Sequence, residues 1–282
     1  MFDDNREKIP VKFKKKLVKI NKLLATKFDF IVLSPGIDIK KCKISHYLKK
    51  NRSKIITELD IFEISYPKIK KITITGANGK STTSKLLHDV LKFNKMDVRL
   101  TGNIGYPILK EKKIKNNTIF IIEASSYQLD YSRFFKSKYS VILNLSPDHL
   151  ERHGTFKSYA GAKFKIVKSQ SKKDFTFIEN DKILNNLVKK NKIKSKVIKI
   201  NFLKFKKYFR QIDNTYFDNT SNQKNLSFVL SISKILKINL KTVINAANKF
   251  RGLKYRQQII HKSKKLLIIN DSKSTSFSST IP

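Results

Sequence analysis

The sequence predicts an α/β protein: a central, mostly parallel sheet of P-loop type, flanked by helices. Three observations carry that expectation. A strand, a glycine-rich loop and an amphipathic helix follow one another without a break over residues 71–93. Further apolar runs then alternate with helical stretches at the spacing of crossover units. Polar clusters stand directly behind three consecutive strand candidates, where an open parallel sheet collects its ligands. Smaller α/β pieces are expected on either side, with boundaries at residues 1–67, 68–250 and 251–282.

In chain order, FDFIVLS (Phe28–Ser34) is a short apolar run closed by Pro35-Gly36, the pattern of a buried strand and turn. Cys42–Lys50 suits a helix, Lys54–Thr57 a second strand, and Ile61–Ile64 a short helix before Pro67. KITIT (Lys71–Thr75) is a strand, and Leu86, Leu87, Val90 and Leu91 form one helical stripe within Ser81–Phe93. Val98–Thr101, Thr118–Ile122 and Tyr139–Leu143 continue the strands. Helices are expected over Phe156–Lys168, Asn222–Leu236 and Leu240–Lys249, and a last strand over Leu266–Ile269. The stretch Phe175–Phe217 mixes both patterns and receives no assignment.

Composition bounds the rest. With 282 residues, 40% of them hydrophobic, the chain can bury a core. The formal charge of +40 would suit a polyanion, but lysines occur in every segment and do not gather on one stretch. Abundant Lys, Asn and Ile with no Trp read as compositional drift, so neither a specific nucleic acid nor a membrane is expected as partner. Cys42 is the only cysteine, which suits a reducing compartment. No apolar run approaches the ~20 residues of a membrane span, and Met1–Lys16 has no apolar signal core. A cytoplasmic monomer is therefore expected.

The most specific motif is TGANGKSTT (Thr75–Thr83) between strand and helix. Glycines let backbone approach phosphate, and the amides of Gly76, Ala77, Asn78 and Gly79 with the helix N-terminus can bind an anion. Lys80 would reach the terminal phosphates of a bound nucleotide, and the Ser81 or Thr82 hydroxyl would sit on Mg²⁺. Ile74 stands where the longer form of the motif has its first glycine. Glu123, at a strand end in IIEASSYQL, could hold the metal, although a strand-end Glu alone is ordinarily solvent-facing. His149, in NLSPDHLERHG (Asn144–Gly154), could be a metal or phosphate ligand, and gains weight only from converging with the other clusters. Lys163 is unremarked by composition.

Taken in order, these motifs resemble the Mur ligase family. TGANGKSTT resembles its ATP loop, GNIGYP (Gly102–Pro107) its substrate-contacting loop, and EASSYQL its Glu-x-Ser-Ser motif. NLSPDHLERHG followed by YAGAK (Tyr159–Lys163) is similar to its Asp-His and carbamylated-lysine region. VLSPGI (Val32–Ile37) resembles the end of its uridine-nucleotide domain, while FRGLKYR (Phe250–Arg256) and INDSKST (Ile269–Thr275) resemble the entry and the Asp-Ser-Lys motif of its third domain.

The resemblance implies a partial UDP-binding domain, a central ATPase domain and the start of a closing C-terminal domain. It implies an ATP- and Mg²⁺-dependent ligase that adds D-glutamate to UDP-N-acetylmuramoyl-L-alanine through an acyl phosphate, in peptidoglycan precursor synthesis. Lys80 would then bind ATP; Ser81, Thr82, Glu123, His149 and a carbamylated Lys163 would serve the metal; Asn103 and Ser125 the substrate; Asn225 the adenine; and Arg256, Asp271 and Lys273 the nucleotide from the third domain. Departures accompany it. The family's His-Arg pair reads Tyr255-Arg256, the Glu that follows reads Gln257 or Gln258, its His-Asn motif reads Lys224-Asn225, and Phe228 replaces a common Asn. The first strand of the UDP domain and most of the third domain are expected to be missing. Competing readings are another Mur ligase or a folylpolyglutamate synthase-like ligase, a non-catalytic ATP-binding remnant, and a cationic nucleic-acid-binding protein.

Overall fold

The computed structural model describes residues 2–273 except 4, 6, 8, 257 and 264; of the residues singled out above, Gln257, Ser274 and Thr275 lie outside the described residues. Two short helices, Val11–Lys14 and Ile20–Ala25, open the chain and bury no residue. β1 (Ile31–Val32) and β2 (Ile55–Ile56) then form a two-stranded parallel sheet around the helix Ser45–Lys50. Both strands are shorter than expected, and the physical reason is the partner. Pro35-Gly36 turns the chain away after β1. Thr57 ends β2 because its amide donates to Asp60 Oδ2 at 2.8 Å, starting the helix Glu58–Ser65. That helix begins earlier than the apolar run Ile61–Ile64 suggested.

The central sheet contains β3 (Lys70–Thr75), β4 (Val98–Gly102), β5 (Ile119–Glu123), β6 (Tyr139–Ile142), β7 (Phe175–Glu179) and β8 (Lys196–Ile200). Its order is β4-β5-β3-β6-β7-β8, and every pair is parallel. Strands buried on both faces explain the continuous apolar runs. In β5, Ile119 and Ile121 enter one core, and Phe120 and Ile122 the other. The first core packs under the helices Lys80–Phe93, Thr220–Ile235 and Leu240–Asn248; the second under Glu58–Ser65 and Phe156–Lys168. Leu86, Leu87, Val90 and Leu91 are fully buried there, each stabilising by ~2 kcal/mol.

The unassigned stretch resolves into β7, the helix Lys182–Lys190 and β8. β8 is an edge strand whose two lysines are exposed and only Ile200 is buried, so lysines punctuate KVIKI and blur its pattern. Near the end, β9 (Gln258–Lys262) pairs antiparallel with β10 (Leu267–Asn270); only the second strand was expected from sequence. No helix among the described residues is long and apolar enough to cross a membrane.

Candidate active site

β3 lies between β5 and β6, and the chain leaves it first to one side and then to the other. The crevice at a parallel sheet's carboxyl edge opens at such a reversal. The glycine loop fills it. Gly79 has φ +81°, and a Cβ there would lie 2.1 Å from Asn225 Oδ1, so both backbone and space require glycine. Asn144, just beyond β6, pins the loop: its carbonyl accepts from Ala77 N at 3.1 Å, and its side chain bonds both Asn78 N (2.8 Å) and Asn78 O (3.1 Å).

Two lysines converge on this loop. Lys80 Nζ donates to Gly76 O at 2.9 Å and Ala77 O at 2.6 Å. Lys163, carried by the helix Phe156–Lys168 and only 2% exposed, donates to the same Gly76 O at 2.8 Å and to Thr75 Oγ1 at 3.4 Å. Burial pushes the Lys80 ammonium below its ordinary pKa, with Glu123 opposing that shift. Lys163 is driven well below, first by burial and then by repulsion from Lys80, against the pull of Asp148 and Glu123.

Glu123 ends β5 and is 1% exposed. Among the described residues its Oε1 receives only a long bond from Asn103 Nδ2 at 3.5 Å, and its Oε2 is buried with no hydrogen-bond partner. A buried carboxylate oxygen without a donor is costly unless a cation completes it. Asn103 is held there by its amide, which donates to Glu123 O at 2.9 Å. Across the crevice, Asp148 and His149 follow β6. His149 adopts φ +52°, an unusual state for a residue with a side chain, and its ring lies 4.9 Å from that of Tyr127. Burial, then Glu151, pushes the Tyr127 hydroxyl up to about 12.

One cleft of about 380 Å³ joins these groups: its lining includes Ala77, Asn78, Gly79, Lys80, Ser81, Asn103, Glu123, Ser125, Asp148, His149 and Lys163, with Arg256 and Lys273 from the last segment. Gly76, Thr82, Asn225 and Asp271 are outside its lining. Thr82 Oγ1 instead lies 3.4 Å from Tyr216 OH, and Asn225 backs the loop at Gly79. Ser125 reaches the cleft, but its hydroxyl is occupied as a helix cap, accepting from Gln128 N at 3.2 Å and donating to Gln128 Oε1 at 3.0 Å. Asp148 was passed over in sequence beside the more conspicuous His149, and Asn144 had only its place behind a strand to signal it. Among the described residues no three His, Cys, Asp or Glu side chains form a ready-made metal cage. The set nevertheless suits a hard cation bound partly by nucleotide: an orphaned Glu123 oxygen, the Ser81 hydroxyl and the Asp148-His149 pair.

Residues 74–251, more than half the chain, match the pattern of the Mur ligase middle domain. The chain belongs to the Mur ligase family. Among curated Mur ligases it is similar to the UDP-N-acetylmuramoylalanine--D-glutamate ligase of Rickettsia bellii, 31% identical over 97% of this chain and 66% of that protein. The corresponding ligase of Rickettsia prowazekii is 33% identical over 88% of this chain and 59% of its own length. The chain thus spans about three fifths to two thirds of the length of these relatives. Mur ligase structures share the fold: the ligase MPL from Neisseria meningitides superposes with a TM-score of 0.60 at 13% identity over 90% of each chain. MurF from Thermotoga maritima in complex with ADP gives 0.58 at 17% identity, over 96% of this chain and 70% of that one. The middle-domain match encloses the glycine loop, Glu123, His149 and Lys163, and ends before Arg256.

Proposed function

We propose that this chain carries the carboxylate-activating centre of an ATP-dependent ligase that adds D-glutamate to UDP-N-acetylmuramoyl-L-alanine during peptidoglycan precursor synthesis. The observation that carries the reading is the single cleft into which Lys80, Glu123, His149 and Lys163 open, at the ends of β3, β5 and β6 and on one neighbouring helix. The names of the sequence relatives support the substrate pair. In this reading residues 1–67 hold the uridine nucleotide, 68–250 the ATP, and 251–282 begin the closing domain; the protein is a cytoplasmic monomer.

The chemistry requires an anion to attack an anion. A substrate carboxylate oxygen bonds the γ-phosphorus as ADP departs, leaving an acyl phosphate. The D-glutamate amine then attacks the acyl carbon, loses a proton, and expels phosphate. Lys80 and the amides of residues 76–79 would offset the charge that builds on the transferring oxygens. Asn103 and Ser125 would meet the muramoyl substrate, and Arg256 and Lys273 the nucleotide. Ser81, Glu123, His149 and a carbamate on Lys163 would hold Mg²⁺, which supplies charge neutralisation between the phosphates. Carbamylation needs a neutral amine: Nζ bonds the carbon of CO₂ and releases a proton. Burial beside Lys80 favours that neutral form. The carbamate then turns a repelled cation into an anion facing Lys80.

The test is titration calorimetry with ATP and Mg²⁺ beside a phosphate-release assay offering D-Glu, L-Glu, L-Lys and meso-diaminopimelate. Release that depends on UDP-N-acetylmuramoyl-L-alanine and D-Glu is expected, falling by about 10³-fold in Lys80→Ala. Undiminished release in that variant refutes the centre. Binding without release identifies a nucleotide-binding remnant.

A further inference from the structure

The motif Asn144–Gly154 contains a charged residue to which the ligase reading gives no role, Arg152. It sits in the short helix Leu150–His153, directly after His149 and Glu151. Its Nη2 donates to Ile37 O at 2.5 Å and to Tyr131 OH at 2.8 Å, with Pro35 O at 3.5 Å. These carbonyls belong to the turn after β1, more than a hundred residues earlier, and Pro35 and Gly36 form part of the cleft wall. The same guanidinium lies 5.2 Å from the Tyr127 ring and 5.3 Å from the Tyr131 ring. Tyr127 in turn packs on His149 at 4.9 Å and on His153 at 5.6 Å, and its hydroxyl donates to Glu151 Oε1 at 3.2 Å.

A physical chain therefore runs from the Pro35–Ile37 turn through Arg152 and Tyr127 to His149. His149 needs such support, because a left-handed conformation at a residue with a Cβ costs about 1–3 kcal/mol and persists only where its surroundings over-determine it. An arginine fits the task better than a lysine: one planar group serves several oxygens with one edge while stacking on rings with its face.

We propose that Arg152 is a positioning residue that couples the Pro35–Ile37 turn to the loop bearing His149, so that each reports its occupancy to the other. The contacts stand by themselves; only the purpose, synchronising the uridine-nucleotide side of the cleft with the phosphate side, rests on the ligase reading.

Hydrogen exchange by mass spectrometry on the full chain tests this, with Arg152→Lys and Tyr127→Leu. Without ligand, Arg152→Lys is expected to speed exchange about tenfold in both residues 37–42 and 148–153 while sparing 76–83. Tyr127→Leu cuts the chain one link later, so it should loosen 148–153 and spare 37–42. Arg152→Lys loosening one segment alone, or Tyr127→Leu loosening both or neither, overturns the proposal. In the unaltered chain, ATP with Mg²⁺ should slow residues 76–83 and also 37–42; Arg152→Lys should keep the first response and lose the second. Persistence of the second response also overturns it. No slowing at 76–83 in the unaltered chain sinks the nucleotide reading instead, and the ligand-free comparison still decides the coupling.

Discussion

The central sheet and the small unit before it are built by the same rules at very different depth. β5 and β6 feed both apolar cores, and β3 sends Ile72 and Ile74 into one while burying Thr73 and Thr75 on its other face. The unit around β1 and β2 has a core of five buried residues, and one of them, Tyr131, is lent by the central region. Val32, Phe28 and Phe30 remain substantially exposed beside it. The two walls of the cleft therefore differ in rigidity. The wall bearing Lys80, Glu123 and Lys163 is anchored to a sheet, whereas the wall bearing Pro35 and Gly36 is held by docking contacts. Asp60 is the principal joint. Its Oδ1 accepts from Ser132 Oγ and from the amides of Arg133, Phe134 and Phe135, at 2.7 to 3.0 Å, while Oδ2 holds Thr57 N.

The sharpest challenge to this contrast is Asp60→Ala. It orphans several buried donors at once and should cost about 4 kcal/mol in urea unfolding. A loss under about 1 kcal/mol would show that the joint is not where the two regions meet. Next come matched truncations of fully buried leucines. Leu86→Ala should destabilise global unfolding by about 3 kcal/mol. Leu48→Ala should instead release residues 31–56 to exchange while the main transition stays in place; a shifted main transition would mean the two regions unfold as one. Smaller again is the Lys163 contribution. Its folded pKa lies below its unfolded value, so below the unfolded lysine value this group opposes folding. That opposition lifts as pH rises from the folded pKa toward the unfolded lysine value. In CO₂-free buffer Lys163→Met should thus melt higher than the unaltered chain at pH 7, with the gap closing toward pH 10. A gap that widens with pH would contradict the assignment. The smallest effect belongs to Tyr131→Phe, which keeps the ring and loses the Arg152 bond, about 1 kcal/mol confined to the turn after β1.

The same contrast explains what could be read from sequence. β5 declares itself because burial on both faces leaves an apolar run, β3 and β6 because isoleucine, valine and tyrosine recur beside Thr and Ser, and the helix Lys80–Phe93 by its apolar stripe. β8 and β9 escaped because an edge strand and an exposed hairpin need no such runs. In the site, the position of Lys80 was legible from the glycine loop behind its strand, and that of Glu123 only from the convergence of several polar clusters on one sheet edge. The burial of Lys163 was not, since one lysine among so many has no local mark; only motif resemblance singled it out. Of the two neighbouring hydroxyls Ser81 lines the cleft and Thr82 does not, because adjacent side chains on a helix point about 100° apart, a choice the motif alone left open. Arg152 and Asn144 act on backbone far away in sequence, which no local pattern records.

The run Ile119–Ile122 offers the two cores side chains of one kind on either face, so sliding β5 by a single residue would still set oil against oil. Such a slip would nonetheless turn Glu123 to the opposite face of the sheet. What forbids it lies at the strand's tip: Gly102 approaches so closely that a Cβ there would stand 2.2 Å from Glu123 O, and Asn103 N hydrogen-bonds that same carbonyl. Alignment here is policed by the polar end and not by the greasy middle. A one-residue insertion in β5 should accordingly bulge out along the apolar run and leave Glu123 at the tip, where Gly102 and Asn103 hold it.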